Sequence, residues 1–214
     1  YAVSAPDYIG MAGWGEPSGR LHPYFVAEAT AIASLDGLRA LSNVIEAREP
    51  ELSLQKDKTI FWGASEGGFA ALVSDRYRPH YLPDFQGVAT VAAVPATNLQ
   101  ELARLSLEDL HESSLALVAV MATMSDWYGL ANLEDFLQPA LMDGLANDLQ
   151  LCGDFASTEG ITEVGDLFLS ETISAGINED WAALDPFGCF FEENTLINLS
   201  LPVENLSPTL IITA

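Results

Sequence analysis

Lysine is nearly absent from this chain: its 214 residues hold two, Lys56 and Lys58. Basic residues of both kinds number 8 against 31 acidic ones, for a net charge of −23. A surface so negative repels nucleic-acid phosphates and anionic membrane surfaces, which argues against nucleic-acid partners. Long apolar runs are missing too. The stretch 115–123 is typical of the longest, and it falls well short of the roughly 18–20 residues that cross a bilayer, so no stable membrane insertion is expected. No basic segment followed by an apolar one opens the sequence, so no signal peptide is visible. Cysteine is scarce, with Cys152 and Cys189 alone and no C-x-x-C pair, and a structural zinc site is not expected. Disorder is excluded by a hydrophobic content of 49%. The length suits one hydrophobic core, or a core with a cap.

Two of these features admit two readings each. The acidic, lysine-poor composition fits a salt-adapted surface kept hydrated by its charge, and equally an ordinary acidic secreted or cytosolic protein. Cys152 and Cys189 are either two buried free thiols or a disulfide. Gly153 and Gly188 give both a loop-like setting and favour the disulfide, worth ~3–4 kcal/mol if unstrained.

Residues 1–5 (YAVSA) read as a short buried strand ending at Pro6. Residues 7–23 are rich in glycine and proline and form a loop. Ile32, Leu35, Leu38, Leu41 and Ile45 recur every three or four residues, which predicts a helix over about 24–47. The β-branched and aromatic run 58–62 (KTIFW) predicts a strand. A helix over about 66–77 then ends before Pro79. The continuous apolar run 87–94 (GVATVAAV) resembles a buried parallel strand. This alternation implies a parallel sheet with right-handed crossovers. Beyond it the rhythm breaks. Residues 99–110, 113–124 and 130–149 are expected to be helical, the last broken near Pro139, and 208–214 (PTLIITA) to be a buried strand returning to the sheet.

The chemistry is concentrated at Gly63, Ala64, Ser65, Glu66 and Gly67, a G-x-S-x-G pattern between a predicted strand and a predicted helix. A tight turn there lifts the Ser65 hydroxyl above the sheet. Side chains at Gly63 or Gly67 are expected to collide with backbone, and Gly68 to give clearance between helix and sheet. The N–H of Glu66, in the first helical turn, can donate to an oxyanion with help from the helix dipole.

The elbow GASEGGFA, the strand GVATVAAVPA and the upstream stretches APDYIGM and LHPYFVAEATAIASLDGLRAL resemble the secretory lipase family of the α/β-hydrolase fold, as do WAALDPFGCFFEENT and PTLIITA. The resemblance is specific over 1–97 and loose over 98–180. It implies a parallel sheet flanked by helices, interrupted by a mostly helical lid, and a carboxylic-ester hydrolase that needs no cofactor. The family's nucleophile falls on Ser65. Its oxyanion hole falls on the N–H of Glu66 and on Asp7, whose carboxyl must be protonated to donate. The alternative for Asp7 is a loop-capping aspartate.

Three parts follow from this resemblance: 1–97 as the central hydrolase core, 98–200 as the lid, 201–214 as the return strand. The acid and the histidine base are expected beyond residue 214, so the sequence reads as the middle of a longer protein whose sheet is incomplete here. His22, His80 and His111 lack any placement beside Ser65 that a base requires. The all-round apolar run holding Met121 is either a core helix or a wall of an acyl pocket, with Trp14, Trp127 and Tyr128 near its entrance. The implied substrate is a small ester or a lipid, and the implied location is secreted or periplasmic. Two alternatives remain open at this point: a peptidase or acyltransferase of the same fold, and a catalytically inactive binding module.

Overall fold

The computed structural model describes residues 1–11, 19–142, 144–145, 149 and 160–213. They divide into two compact units. The first gathers Tyr1–Tyr8, Phe25–Thr97 and Leu199–Ala214. It contains α1 (Ala27–Arg48), β1 (Thr59–Ala64), α2 (Glu66–Tyr81), β2 (Gly87–Ala93) and β3 (Thr209–Ile212). The three strands are parallel in the order β1-β2-β3. The aromatic and β-branched β1 turns Phe61 into the interior. There it joins Leu35 of α1, Ala71 of α2, Leu82 and Phe85, with Leu38, Leu54, Tyr77 and Tyr81 packed around them. Strand register sets Trp62 beside Val91 and Val91 beside Leu210, on the opposite face. Trp62 is 76% exposed there and Leu210 56%.

Several expectations are corrected. Residues 1–5 form no strand and are largely exposed, with Tyr1 and Val3 open to solvent. A strand exists only through its ladder partner, and this segment lies outside the three-stranded sheet. The return strand β3 is in place as expected but is exposed at all four residues, with β2 as its one paired strand among the described residues. Helix α2 does not stop before Pro79 but carries it within its last turn, to Tyr81. The helical bond from Leu82 N to Arg78 O, at 2.9 Å, still forms beyond the helix-breaking residue, and a tertiary contact holds this end, the Tyr81 hydroxyl donating to Asp36 at 3.0 Å.

A buried polar cluster fastens the C-terminal segment to α2. Arg78 Nε donates to Asp75 Oδ1 at 3.3 Å, with both side chains deeply buried (5% and 4% exposed). Asp75 accepts from the Ser207 N–H at 2.8 Å and from the Ser207 hydroxyl at 2.9 Å. Arg78 also donates to the carbonyls of Phe85, at 3.0 Å, and of Asn205. Gly87 passes so close that an added Cβ would overlap Ser207 Oγ and lie 3.0 Å from Asp75 Oδ1.

The second unit comprises Ile9–Tyr24 and Asn98–Asn198. Its longer helices are α3 (Leu99–Glu108), α4 (Glu112–Tyr128), α5 (Ser170–Ile177) and α6 (Phe187–Asn194). The Asn98 side chain caps α3 by accepting from Glu101 N at 3.1 Å. A reciprocal box between His111 and Ser114 caps the N-terminus of α4, and Gly129 in the left-handed conformation ends it. Helix α3 packs against α4, α5 and α6. Phe136 meets Phe187 edge-on at 4.9 Å, and Phe187 meets Phe190 edge-on at 5.8 Å.

The stretch 130–149, expected to be one broken helix, instead holds two short 3-10 turns, Leu133–Asp135 and Pro139–Leu141, among its described residues. Between them Leu137 pairs with Phe168 in an isolated antiparallel bridge, and both side chains are fully buried. The Gln138 side chain donates to the carbonyls of Gly165 and Phe168. These long-range partners outweigh the local helical pattern.

Candidate active site

Ser65 sits at the turn where β1 gives way to α2, and it is exposed. Its backbone has φ 54° and ψ −119°, a region L-residues rarely enter. Such a conformation costs on the order of 1–3 kcal/mol and persists only where the surroundings enforce it. Two bonds do so. The Ser65 N–H donates to Ala93 O at the end of β2, at 2.9 Å, and Ser65 O accepts the first helical bond, from Phe69 N, at 3.1 Å. The side chain is thereby raised off the end of the sheet at the positive end of α2, where the N–H of Glu66 opens the helix.

The glycines around it differ in role. A Cβ on Gly63 would overlap the Gly67 backbone, as the motif predicts. A Cβ on Gly68 would lie 2.8 Å from Ala93 O and 3.2 Å from Pro95 Cβ, so this residue sets how closely α2 approaches β2. Gly67 is corrected: a Cβ there meets nothing within 4 Å. Gly67→Ala is therefore expected to be neutral or to stabilise by up to about 1 kcal/mol, since alanine is the better helix residue. Gly68→Ala is expected to destabilise by about 1–3 kcal/mol through overpacking. Urea denaturation of the two variants checks the pair, and equal effects would contradict this assignment.

Two features near the turn were not foreseen. Val94, directly after β2, has φ 43°, which is unusual for a β-branched residue. Its N–H donates to Ile212 O of β3 at 2.7 Å, so it is held in place by the sheet. The Val94-Pro95 pair carries no signal of a positive φ. The second feature is Tyr8. Burial pushes its hydroxyl above the ordinary tyrosine range, and the negative charge of Glu66 adds to the shift. Asp7 beside it is exposed. Tyr8 and Glu66 thus bring the N-terminal segment and the elbow under one electrostatic influence.

Met121, Trp127, Tyr128 and Cys189 lie in the second unit. Met121 is 2% exposed, inside a stretch of α4 that is buried from Leu117 through Met124, as a core helix would be. Tyr128 stacks on Phe190 at 4.3 Å, and its hydroxyl accepts from Asn194 Nδ2 at 2.9 Å. Trp127 is exposed near the end of α4. Trp14 lies outside the described residues. Cys189 is free and exposed on α6, and its candidate disulfide partner Cys152 lies outside the described residues. His22 is buried with Nδ1 3.1 Å from Ile9 O, His80 is exposed with Nε2 3.4 Å from Pro202 O, and His111 caps α4. Among the described residues no group of three or more His, Cys, Asp or Glu could hold a metal, and no helix is long and apolar enough to cross a membrane.

Comparison with known proteins places this geometry in context. The family model for secretory lipase matches residues 1–150. No curated protein sequence matches the chain. Among solved structures, a Legionella pneumophila protein superposes with a TM-score of 0.79 at 19% identity, over 99% of this chain and 54% of its own. The rice cell wall degrading esterase LipA of Xanthomonas oryzae, ligand-bound, gives 0.75 at 19% identity, over 97% of this chain and 54% of its own. Candida antarctica lipase A in its closed state gives 0.61 at 18% identity, over 90% and 43%. At such identities the likeness shows the fold, that of the α/β-hydrolases. The chain spans about half the length of the structures it matches.

Proposed function

The chain belongs to the secretory lipase family, and from that premise we propose that it carries the nucleophile of a serine carboxylic-ester hydrolase. The observation that carries the reading is the exposed Ser65 held at positive φ between β1 and α2. Ser65 Oγ attacks the ester carbonyl while a histidine base accepts its proton. The Glu66 N–H, at the positive end of α2, donates to the oxyanion of the tetrahedral intermediate. Collapse of that intermediate expels the alcohol and leaves Ser65 acylated. Water then attacks the acyl-enzyme and releases the carboxylate. Asp7 is the second residue proposed for the oxyanion hole. The substrate is a small ester or a lipid, and family membership supports secretion.

The test is intact mass before and after incubation with a fluorophosphonate. One adduct per chain, mapped to Ser65, is the expected result, because only an activated serine reacts at an appreciable rate. Turnover of a simple aryl ester without turnover of peptides separates this reading from a peptidase. A folded protein that includes the acid and the histidine expected beyond residue 214 and still takes up no adduct overturns it in favour of an inactive binding module.

A further inference from the structure

The cations of the first unit are sorted by position. Its lysines and arginines are Arg39, Arg48, Lys56, Lys58, Arg76 and Arg78. Arg48 lies in the last turn of α1, Lys56 and Lys58 precede β1, and Arg39 donates to the carbonyl of Tyr81, the last residue of α2. Arg76 and Arg78, in the second half of α2, reach the carbonyls of Leu201 and Asn205. All six thus lie toward the end of the unit where its strands begin. Ser65 stands at the other end, just beyond β1. The length of β1 separates it from Lys58, about 20 Å, and eleven residues of α2 separate it from Arg76, about 16 Å. Both spans exceed the screening length of about 8 Å at physiological ionic strength. Acidic groups occupy both ends. At the Ser65 end Glu66 opens α2 and Glu28 lies in the first turn of α1. Phe25 meets Phe69 edge-on at 5.2 Å, so these two helices open at the same end. Asp7 is exposed, and the charge of Glu66 is felt at the neighbouring, half-buried Tyr8, whose hydroxyl it helps to keep protonated.

Resting on the reading of Ser65 as the nucleophile, we propose that Glu66 selects substrates by charge, so that the site favours esters carrying an alkylammonium group over neutral esters and disfavours anionic ones. The selecting group comes with the elbow itself: the residue whose N–H faces the oxyanion also carries the carboxylate. A negative field at the nucleophile, with the cations of this unit held at its far end, draws a positive substrate in and repels a negative one. Asp7 and Glu28 add to that field, and Glu66 dominates it because it adjoins Ser65.

The test uses the full protein, with the acid and the histidine expected beyond residue 214. At low ionic strength, kcat/KM is measured for three butyrate esters of similar size: butyrylcholine, its uncharged isostere 3,3-dimethylbutyl butyrate, and 2-sulfoethyl butyrate. The choline ester is expected to exceed the neutral one about tenfold, and the neutral one to exceed the sulfonate about tenfold. Glu66→Gln is expected to narrow both ratios to within about threefold. Taking ratios cancels any change in the oxyanion contact of the Glu66 N–H. Glu51→Gln removes the same charge just beyond the end of α1, and is expected to leave both ratios within about 1.5-fold of the parent. Sodium chloride at about 0.5 M is expected to compress the parent ratios. Equal kcat/KM for the three esters, ratios unmoved by Glu66→Gln, ratios moved as far by Glu51→Gln, or ratios indifferent to salt overturn the selectivity and leave the reading of Ser65 standing. Turnover of the neutral ester that survives Ser65→Ala, or no turnover of any ester, overturns both.

Discussion

A Ser65→Gly protein is expected to lose all reaction with the fluorophosphonate and yet to melt a few degrees above the unmodified chain. The first half follows from removing the only nucleophile at the turn. The second follows from its backbone. At φ 54° and ψ −119° a residue with a Cβ is strained by about 1–3 kcal/mol, and glycine is not. Glycine gives back up to about 1 kcal/mol through the greater entropy of its unfolded chain. A net gain near 1 kcal/mol remains, equivalent to about 2–4 °C for a chain of this size. Ser65→Ala loses the reaction equally but keeps the Cβ, so it gains nothing. Differential scanning calorimetry of the two variants reads the difference. A glycine variant that melts below the alanine one would mean that the turn stores no strain, and that its geometry is no sign of a site built against stability.

Asp75→Ala is expected to cost about 3–5 kcal/mol, more than the overpacked Gly68→Ala. The carboxylate is the counterion of a buried arginine and the acceptor for two donors of Ser207. Removing it leaves the Arg78 charge buried with only carbonyl partners at Phe85 and Asn205. The total stability of a domain is about 5–15 kcal/mol, so a large share is lost. The double variant Asp75→Ala, Arg78→Met is expected to be more stable than Asp75→Ala alone, because no charge is left stranded. Urea midpoints for the single and double variants check this. A single variant within about 1 kcal/mol of the parent, or a double variant below it, contradicts the pairing described.

What was legible in the sequence was what local chemistry decides. The elbow could be read because its glycines, its serine and the flanking strand and helix are all contiguous. Gly63 and Gly68 have the roles that the motif requires of them, while Gly67 faces open space that no local pattern reveals. The β1 and β2 runs were legible as strands. Residues 1–5 carry the same kind of pattern but form no strand, since a ladder needs a partner that hydropathy does not name. Pro79 misled in the opposite direction: a strong local breaker was overruled where Tyr81, Leu82 and Phe85, at and just after the last turn of α2, join the core cluster of Leu35, Phe61 and Ala71. The 130–149 stretch failed for a similar reason, its backbone around Leu137 bonding across to the segment around Phe168 rather than along a helix. At the site, the strain at Val94 and the influence of Glu66 on Tyr8 both arise between segments far apart in the chain.

The Asp75–Arg78–Ser207 cluster also sets an order of events during folding. It joins residues 132 positions apart, and the logarithmic part of the entropy of closing a loop that long is about 4 kcal/mol. The contacts of α2 with α1, β1 and β2 span far shorter separations and can form early. Among the described residues β3 pairs with β2, and it can join the sheet only once that loop has closed. On a ribosome, the α1-β1-α2-β2 segment would wait for about a hundred further residues before β3 emerged. During that interval the edge of β2 is open to any passing strand, which makes nascent chains the aggregation-prone form of this protein.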